Sequence, residues 1–153
     1  MKILMVCLGN ICRSPLAEAV LQQKASQAGL NWKIDSAGTY DMPMGKAPHP
    51  LSQKVALVHG IDICSQRSRR FTADDFLNYD RLYALSDDVM EEMKTIGANR
   101  YDPTKTALLM NEVFPGENLN VDDPWGGSES GFQQAYDLIA AACDSIIGRY
   151  KNN

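Results

Sequence analysis

The most constraining feature of this chain is an apolar segment at its N-terminus that is followed by a tight loop and a helix start. Residues 3–6 (Ile-Leu-Met-Val) form an unbroken apolar run, which is typical of a strand covered on both faces of a parallel sheet. Ser14 and Pro15 then predict a helix start, with Ser14 as the N-cap and Pro15 at the first helical position. The chain is therefore expected to begin with a strand, a loop and a helix.

Strand and helix patterns alternate along the rest of the chain. Further strands are predicted at residues 32–37, 81–85 and 107–110, and further helices at residues 51–59, 86–96 and 128–150, with a short helical turn capped by Thr72. This alternation favours a parallel sheet with helices packed against it. We therefore predict one α/β domain over residues 1–153, with three α/β/α layers around a mostly parallel, four-stranded sheet.

The charge balance and the apolar pattern argue against several classes of partner. The 153 residues carry 15 Lys and Arg against 19 Asp and Glu, a formal net charge of −4. Proteins that bind nucleic acid or anionic membranes through bulk charge are usually basic, so neither partner is expected. No apolar run approaches the roughly 18 residues of a membrane span, and the N-terminus lacks the pattern of a signal peptide. A cytoplasmic location is the resulting expectation.

The cysteine and histidine content indicates neither a disulfide scaffold nor a zinc site. The cysteines Cys7, Cys12, Cys64 and Cys143 are too sparse to staple a chain of this length. No histidine stands at a zinc-type spacing from another ligand. A structural metal is therefore not expected.

The loop after the first strand combines the parts of an anion-binding site with a nucleophile. It lies at the carboxyl end of a strand and enters a helix N-terminus, where free N–H groups and the helix dipole favour a negative charge. Gly9 and Asn10 tolerate unusual backbone angles, and Arg13 supplies a planar fork for two phosphate oxygens. Cys7 stands at the loop entrance, where such surroundings favour a thiolate. The spacing alone is weakly specific, and a buried structural Cys7 with a surface Arg13 is the alternative.

Three segments together resemble one family. The segment Val6-Cys7-Leu8-Gly9-Asn10-Ile11-Cys12-Arg13-Ser14-Pro15 closely resembles the signature of the low-molecular-weight protein tyrosine phosphatases. The segment Asp35-Ser36-Ala37-Gly38-Thr39 is similar to the Ser-Ala-Gly-Thr segment of that family, and Asp122-Asp123-Pro124-Trp125 to its late Asp-Pro-aromatic motif. The resemblance implies hydrolysis of phosphotyrosine monoesters through a cysteinyl-phosphate intermediate.

The resemblance also implies a role for each residue of the site. Cys7 would be the nucleophile, Arg13 would hold phosphate oxygens, and Asp123 would serve as general acid and then general base, with Asp122 as its one rival. The phosphate-binding loop after the first strand would also include Leu8, Gly9, Asn10, Ile11, Cys12 and Ser14. Ser14 either donates a hydrogen bond to the Cys7 sulfur or acts only as a cap. Asn10 would support the loop through Ser36. The implied mechanism needs no metal and no organic cofactor, because Arg13 and the loop N–H groups would compensate the charge of the phosphate.

Further expectations concern residues around these groups. Trp125 and Met42, with Tyr40 two residues earlier, are the predicted walls of the substrate slot. Cys12 either forms a reversible disulfide with Cys7 after oxidation, as in the family, or simply packs. Ser65 stands where many family members carry a histidine that supports the loop, and Ser86 where some carry an aspartate. Two further groups have a structural and a substrate-binding interpretation: His49 near the expected mouth, and the basic run of Arg67, Arg69 and Arg70.

Two other functions compete with the phosphatase. An arsenate reductase on the same fold would relay a disulfide through further cysteines, but residues 66–142 contain none. A phosphate- or phosphotyrosine-binding module would not need Cys7, Arg13 and Asp123 together. The expected partner is a phosphotyrosine protein or peptide, with a tyrosine kinase as a candidate by family analogy. A monomer or weak dimer is expected on the same ground.

Overall fold

The first strand lies at the centre of a four-stranded parallel sheet in the computed structural model, which describes residues 1–151. The strands are β1 (Lys2–Cys7), β2 (Lys33–Gly38), β3 (Arg81–Ala84) and β4 (Thr106–Leu108), in the order β2-β1-β3-β4. The helices are α1 (Arg13–Gln27), α2 (Pro50–Val58), α3 (Asp75–Asn78), α4 (Asp87–Gly97) and α5 (Glu129–Lys151).

The unbroken apolar run of β1 is explained by cover on both of its faces. Ile3 and Met5 belong to a core cluster shared with Leu16 of α1 and Phe132 of α5. Residues 4 and 6 belong to a second cluster, which contains Phe76 of α3 and Val89 and Met93 of α4. Because successive side chains of a strand point to opposite faces, β1 must be apolar at every position. The predicted three-layer α/β/α domain is confirmed, and all four strands are parallel.

The strand order places the loop after β1 where a ligand site is expected. The chain passes from β1 through α1 to β2 on one side, and later returns to β3 on the other side of β1. Such a reversal of strand order opens a crevice beyond the carboxyl ends of the central strands. The segment between β1 and α1 therefore lies at this crevice.

Several predicted element boundaries are wrong. Helix α1 begins at Arg13 with Cys12 at the N-cap, so Ser14 lies inside the first turn and makes no cap hydrogen bond. Helix α3 begins at Asp75 with Asp74 at the N-cap, and a separate turn precedes it, in which the Asp75 carboxylate accepts from the Thr72 N–H at 2.9 Å and the Asp75 N–H donates to the Thr72 carbonyl. Trp32 precedes β2 and packs edge-on against Tyr150, with ring centroids 5.1 Å apart.

The last predicted strand is shorter than expected. Strand β4 ends at Leu108, and the next four residues form a 3₁₀ turn, Leu109–Glu112. Leu109 and Met110 are buried against the α1–α5 side of the sheet in this turn. Because both residues are buried, the sequence there has the apolar pattern of a strand although the chain forms a turn. Among the described residues, no helix has both the length and the apolar character required to cross a membrane.

Candidate active site

The loop between β1 and α1 presents a series of free backbone N–H groups. Within the described part of the chain, no N–H group from Leu8 to Ser14 donates a hydrogen bond to another residue. Asn10 turns the loop with φ of 55°, a left-handed conformation that asparagine adopts more readily than most residues. Unpaired N–H groups at a helix N-terminus form a ready site for an oxyanion.

Asn10 holds this loop together although it is almost fully buried. Its Oδ1 accepts from the backbone N–H of Arg69 at 3.0 Å. Its Nδ2 donates to Ser14 Oγ at 2.7 Å and to Ser36 Oγ at 3.0 Å. The structure thus contains the expected link between Asn10 and Ser36, and adds an anchor from the segment that precedes α3.

The Cys7 sulfur lies 2.9 Å from Ser14 Oγ, and both groups are buried. Because Ser14 Oγ already accepts from Asn10, its own hydrogen is free to point at the sulfur. The hydroxyl can therefore donate to a Cys7 thiolate. Of the two interpretations for Ser14, the geometry favours this donor, since its side chain does not cap the helix.

Arg13 is 3% exposed and is held in place by groups from two other loops. Its Nη1 donates to the Val121 carbonyl at 2.9 Å and to Ser86 Oγ at 3.1 Å. Its Nη2 lies 3.8 Å from Asp123 Oδ2, and its Nε has no partner in the described structure. The guanidinium is thus fixed on one side and retains unused donor capacity.

Ser86 connects Arg13 to a carboxylate one step further away. The Ser86 hydroxyl donates to Asp88, at the start of α4. This hydrogen bond, followed by other contacts that include the charge of Arg13, lowers the pKa of Asp88. A carboxylate therefore still compensates the buried cation, although it acts through a serine.

Asp123 faces the loop, whereas its neighbour Asp122 does not. One oxygen of Asp123 accepts from the Trp125 N–H at 3.1 Å, and the other is directed towards Arg13. Pro124 is buried and anchors the segment. Asp122 is exposed and lies outside the cavity over Cys7. Of the two candidate acids, the geometry therefore favours Asp123.

A cavity of about 370 Å³ brings most of the predicted site residues together. Its lining consists of Cys7, Leu8, Gly9, Ile11, Cys12, Arg13, Tyr40, Met42, Lys46, Asp123 and Trp125. Both predicted walls are present, and Tyr40 adds an aromatic side chain beside Met42. A larger depression of about 530 Å³ on α2 lies away from these groups, and its described lining contains no cysteine.

Cys12 shares the cavity with Cys7 but differs from it chemically. Burial, with smaller contributions from the charges of Asp123 and Cys7, raises the pKa of Cys12 to about 12, against the opposing effect of Arg13. The Cys12 thiol is therefore neutral near pH 7. Of the two cavity cysteines, Cys7 is the one that receives a hydroxyl hydrogen bond.

Other residues singled out in the sequence lie elsewhere. His49 Nδ1 accepts from the Leu51 N–H at 3.0 Å, and the His49 ring packs on Phe132 at 4.7 Å, so it caps α2. Ser65 is exposed. The cations of the basic run are mostly paired: Arg69 with Asp75 and Asp35, and Arg70 with Asp41.

Sequence reasoning missed Glu18 and Lys46. Lys46 lines the cavity mouth. Glu18 Oε1 accepts from the Ser36 hydroxyl at 2.8 Å. Its spacing was a usable signal, because Glu18 follows Ser14 by one helical turn and so shares its face of α1. Among residues 1–151, no group of three or more His, Cys, Asp or Glu side chains is arranged to hold a metal ion.

The similarity to known proteins extends over nearly the whole chain. The sequence model described as low molecular weight phosphotyrosine protein phosphatase matches residues 2–153. A protein of that name from Schizosaccharomyces pombe is 35% identical over 142 residues, which cover 88% of this chain and 87% of the yeast protein.

Solved structures of two relatives superpose closely. The protein tyrosine phosphatase of Entamoeba histolytica is 32% identical with a TM-score of 0.87, and the match covers 99% of this chain and 97% of that one. A Drosophila arginine phosphatase is 30% identical with a TM-score of 0.88, and the match covers 98% of each chain. The chain therefore belongs to the low molecular weight phosphotyrosine protein phosphatase family.

Proposed function

We propose that the protein hydrolyses phosphotyrosine in proteins or peptides, with Cys7 as nucleophile, Arg13 as phosphate ligand and Asp123 as general acid and base. One observation carries the proposal: a single cavity contains the Cys7 sulfur, the free N–H groups of the loop, the guanidinium and the carboxyl. The roles of these residues are inferred from that arrangement.

In the first step, the Cys7 thiolate attacks phosphorus and the bond from phosphorus to the tyrosyl oxygen breaks. Asp123 gives its proton to that oxygen as it leaves, so tyrosine departs neutral and Asp123 becomes a carboxylate. The loop N–H groups and Arg13 hold the equatorial phosphoryl oxygens in the transition state. The products of this step are the free tyrosyl hydroxyl and a cysteinyl phosphate.

In the second step, water attacks the cysteinyl phosphate. The Asp123 carboxylate takes a proton from the water, the bond from sulfur to phosphorus breaks, and inorganic phosphate forms. Cys7 leaves as a thiolate, to which the Ser14 hydroxyl donates at 2.9 Å. Asp123 ends the cycle protonated.

The lining of the cavity favours an aryl phosphate over phosphoarginine. Ile11, Met42 and the aromatic side chains of Tyr40 and Trp125 suit contact with a tyrosyl ring. Lys46 lines the cavity and would repel the guanidinium of a phosphoarginine, and among the described residues Asp123 is the one carboxylate in the lining. This difference supports tyrosine over arginine as the phosphorylated residue.

An arsenate reductase and a binding module have less support. Cys64 is exposed and Cys143 is buried, and neither lines the cavity, so neither is placed for the disulfide relay of an arsenate reductase. A binding module has no use for an acid at Asp123. The proposal also includes a cytoplasmic setting, a phosphotyrosine protein as partner and a monomer or weak dimer.

The test measures hydrolysis of p-nitrophenyl phosphate, a phosphotyrosine peptide and phosphoarginine in the presence of chelator. We expect no turnover for Cys7→Ser. Asp123→Asn should lose about 10²-fold or more on the peptide and less on p-nitrophenyl phosphate, whose leaving group needs less protonation. Asp122→Asn is the matched control and should behave as wild type.

Three results would overturn the proposal. These are faster turnover of phosphoarginine than of the phosphotyrosine peptide, equal losses for the two aspartate variants, and full activity of Cys7→Ser. A wild-type protein that binds phosphate but hydrolyses none of the three compounds would favour the binding module.

A further inference from the structure

The hydrogen-bond chain behind the loop has a direction that can be assigned from its fixed donors. The backbone N–H of Arg69 can act only as a donor, so the Asn10 atom that faces it at 3.0 Å must be the oxygen. The amide nitrogen of Asn10 therefore points the other way, towards Ser14 and Ser36.

Both hydrogens of that amide nitrogen are in use. One goes to Ser14 Oγ at 2.7 Å and the other to Ser36 Oγ at 3.0 Å. Each serine oxygen thus accepts from Asn10 and must direct its own single hydrogen elsewhere. For Ser14 the receiving atom is the Cys7 sulfur at 2.9 Å, and for Ser36 it is Glu18 Oε1 at 2.8 Å.

Asn10 therefore donates in both directions, and two acceptors end the chain, the Cys7 sulfur and the Glu18 carboxyl. We infer that Glu18 is a positioning residue for the proposed reaction: by accepting from Ser36, it keeps the Ser36 oxygen turned towards Asn10 and so keeps Ser14 directed at Cys7. This inference rests on the proposed function and assigns a role to a residue outside the cavity.

The surroundings of Glu18 are consistent with a working acceptor rather than a solvated surface charge. It lies on α1 against β2, and the charged groups that influence it are Asp35 of β2 and Arg69. Burial raises the pKa of Glu18 to about 7; the charge of Asp35 and a hydrogen bond with it add to the rise, while the Ser36 hydrogen bond and Arg69 oppose it. A carboxyl oxygen can accept from Ser36 in either protonation state.

Removal of the Glu18 side chain should weaken the hydrogen bond to the Cys7 sulfur through Ser36, Asn10 and Ser14. Without its acceptor, the Ser36 hydroxyl is free to rotate, and it becomes a weaker and less directed acceptor for Asn10, because donation by a hydroxyl strengthens its acceptance. Asn10 holds a left-handed turn at φ of 55° and would lose part of its support. Ser14 would then stabilise the departing Cys7 thiolate less well, which affects turnover more than substrate binding.

The test compares Glu18→Ala with Glu18→Gln, which retains an oxygen acceptor. In Glu18→Ala we expect kcat to fall by about three- to tenfold with KM little changed, the range that corresponds to one hydrogen bond. The pH profile of Cys7 alkylation by iodoacetamide should move to higher pH in the same variant. Glu18→Gln should restore both quantities most of the way to wild type.

Glu112→Ala is the matched control for loss of a buried carboxyl. Glu112 accepts from the Tyr83 hydroxyl at 2.7 Å in the turn after β4, so its truncation should lower thermal stability and leave the alkylation profile unchanged. The inference fails if the Glu18→Ala profile superimposes on wild type, if Glu18→Gln behaves like Glu18→Ala, or if Glu112→Ala produces the same shift. Alkylation needs no turnover, so an inactive wild type would count against the proposed function alone.

Discussion

At the scale of single residues, the site depends on buried polar groups that are each given a partner. A guanidinium as buried as that of Arg13 would be costly without compensation, because transfer of a charge out of water is unfavourable. The Val121 carbonyl and Ser86 satisfy one of its nitrogens, and Asp123 lies near another. The donors that remain free are those a phosphate would use.

Glu18 makes the stability of the protein depend on pH. Its pKa is raised from 4.5 to about 7 in the folded protein, so between these values the folded state retains a proton that the unfolded state has lost. Its contribution to the free energy of unfolding therefore falls as pH rises through this window and is constant above it. Relative to wild type, Glu18→Gln should gain up to about 3 kcal/mol between pH 4.5 and pH 7.5.

Urea unfolding of both proteins at several pH values measures this difference. The Gln variant keeps the shape and an acceptor oxygen, so packing effects should be the same at every pH and cancel in the comparison. A stability difference that does not change between pH 4.5 and pH 7.5 would contradict the raised pKa of Glu18.

The residues predicted from the sequence were those close together along the chain or marked by a family motif. Cys7 and Arg13 share one short loop, and Asp123 was found through the Asp-Pro-aromatic motif. Glu18 was missed because its role depends on Ser36 of the neighbouring strand. The hydrogen bond from the Arg69 backbone to Asn10 was also missed, because every residue except proline has a backbone N–H and the sequence does not indicate which one is used.

At the scale of elements, the order and type of the main strands and helices were predictable, whereas several ends were not. The two-faced cover of β1 shows directly in its apolar run. The end of β4 cannot be recognised in the sequence, because Leu109 is buried in a 3₁₀ turn just as it would be in a strand. Helix α1 starts early because the loop geometry, rather than the Ser14 hydroxyl, sets its first turn.

The end of β2 and the loop between β1 and α1 pack so closely that only glycine fits between them. A Cβ at Gly38 would lie 2.7 Å from the Leu8 carbonyl oxygen and 3.0 Å from the Asn10 nitrogen, both of which are backbone atoms. Gly38→Ala should therefore displace the loop, lower the free energy of unfolding by about 1–3 kcal/mol and strongly reduce turnover.

Gly148→Ala in α5 is the matched control for Gly38→Ala. A Cβ at this helical position meets nothing within 4 Å, so the substitution should stabilise the protein by about 0.5–1 kcal/mol and leave turnover unchanged. Urea unfolding and p-nitrophenyl phosphate hydrolysis measure both effects. Wild-type activity in Gly38→Ala would show that the loop tolerates displacement.

At the scale of the whole molecule, the proposed phosphate site depends on local geometry rather than on overall charge. The chain carries a net charge of −4, yet the cavity over Cys7 is lined by free N–H groups and a buried guanidinium. Such a cluster attracts an anion at distances of a few ångströms. The net charge, in contrast, is spread over the surface and screened by salt. An anionic protein can therefore have a strong site for a dianion.

Occupation of the proposed phosphate site should stabilise the entire fold, because the unfolded chain has no such site. At a phosphate concentration of about 100 times Kd, linkage predicts about 2.7 kcal/mol, which corresponds to a rise in Tm of roughly 5–10 °C for a domain of this size. Cys7→Ser should retain the rise, because the N–H groups and Arg13 hold the anion. Arg13→Lys should lose most of it, because an ammonium cannot reproduce the planar fork. Calorimetry in phosphate against chloride of equal ionic strength measures the effect, and an equal rise in chloride, or in Arg13→Lys, would show that the anion acts elsewhere on the molecule.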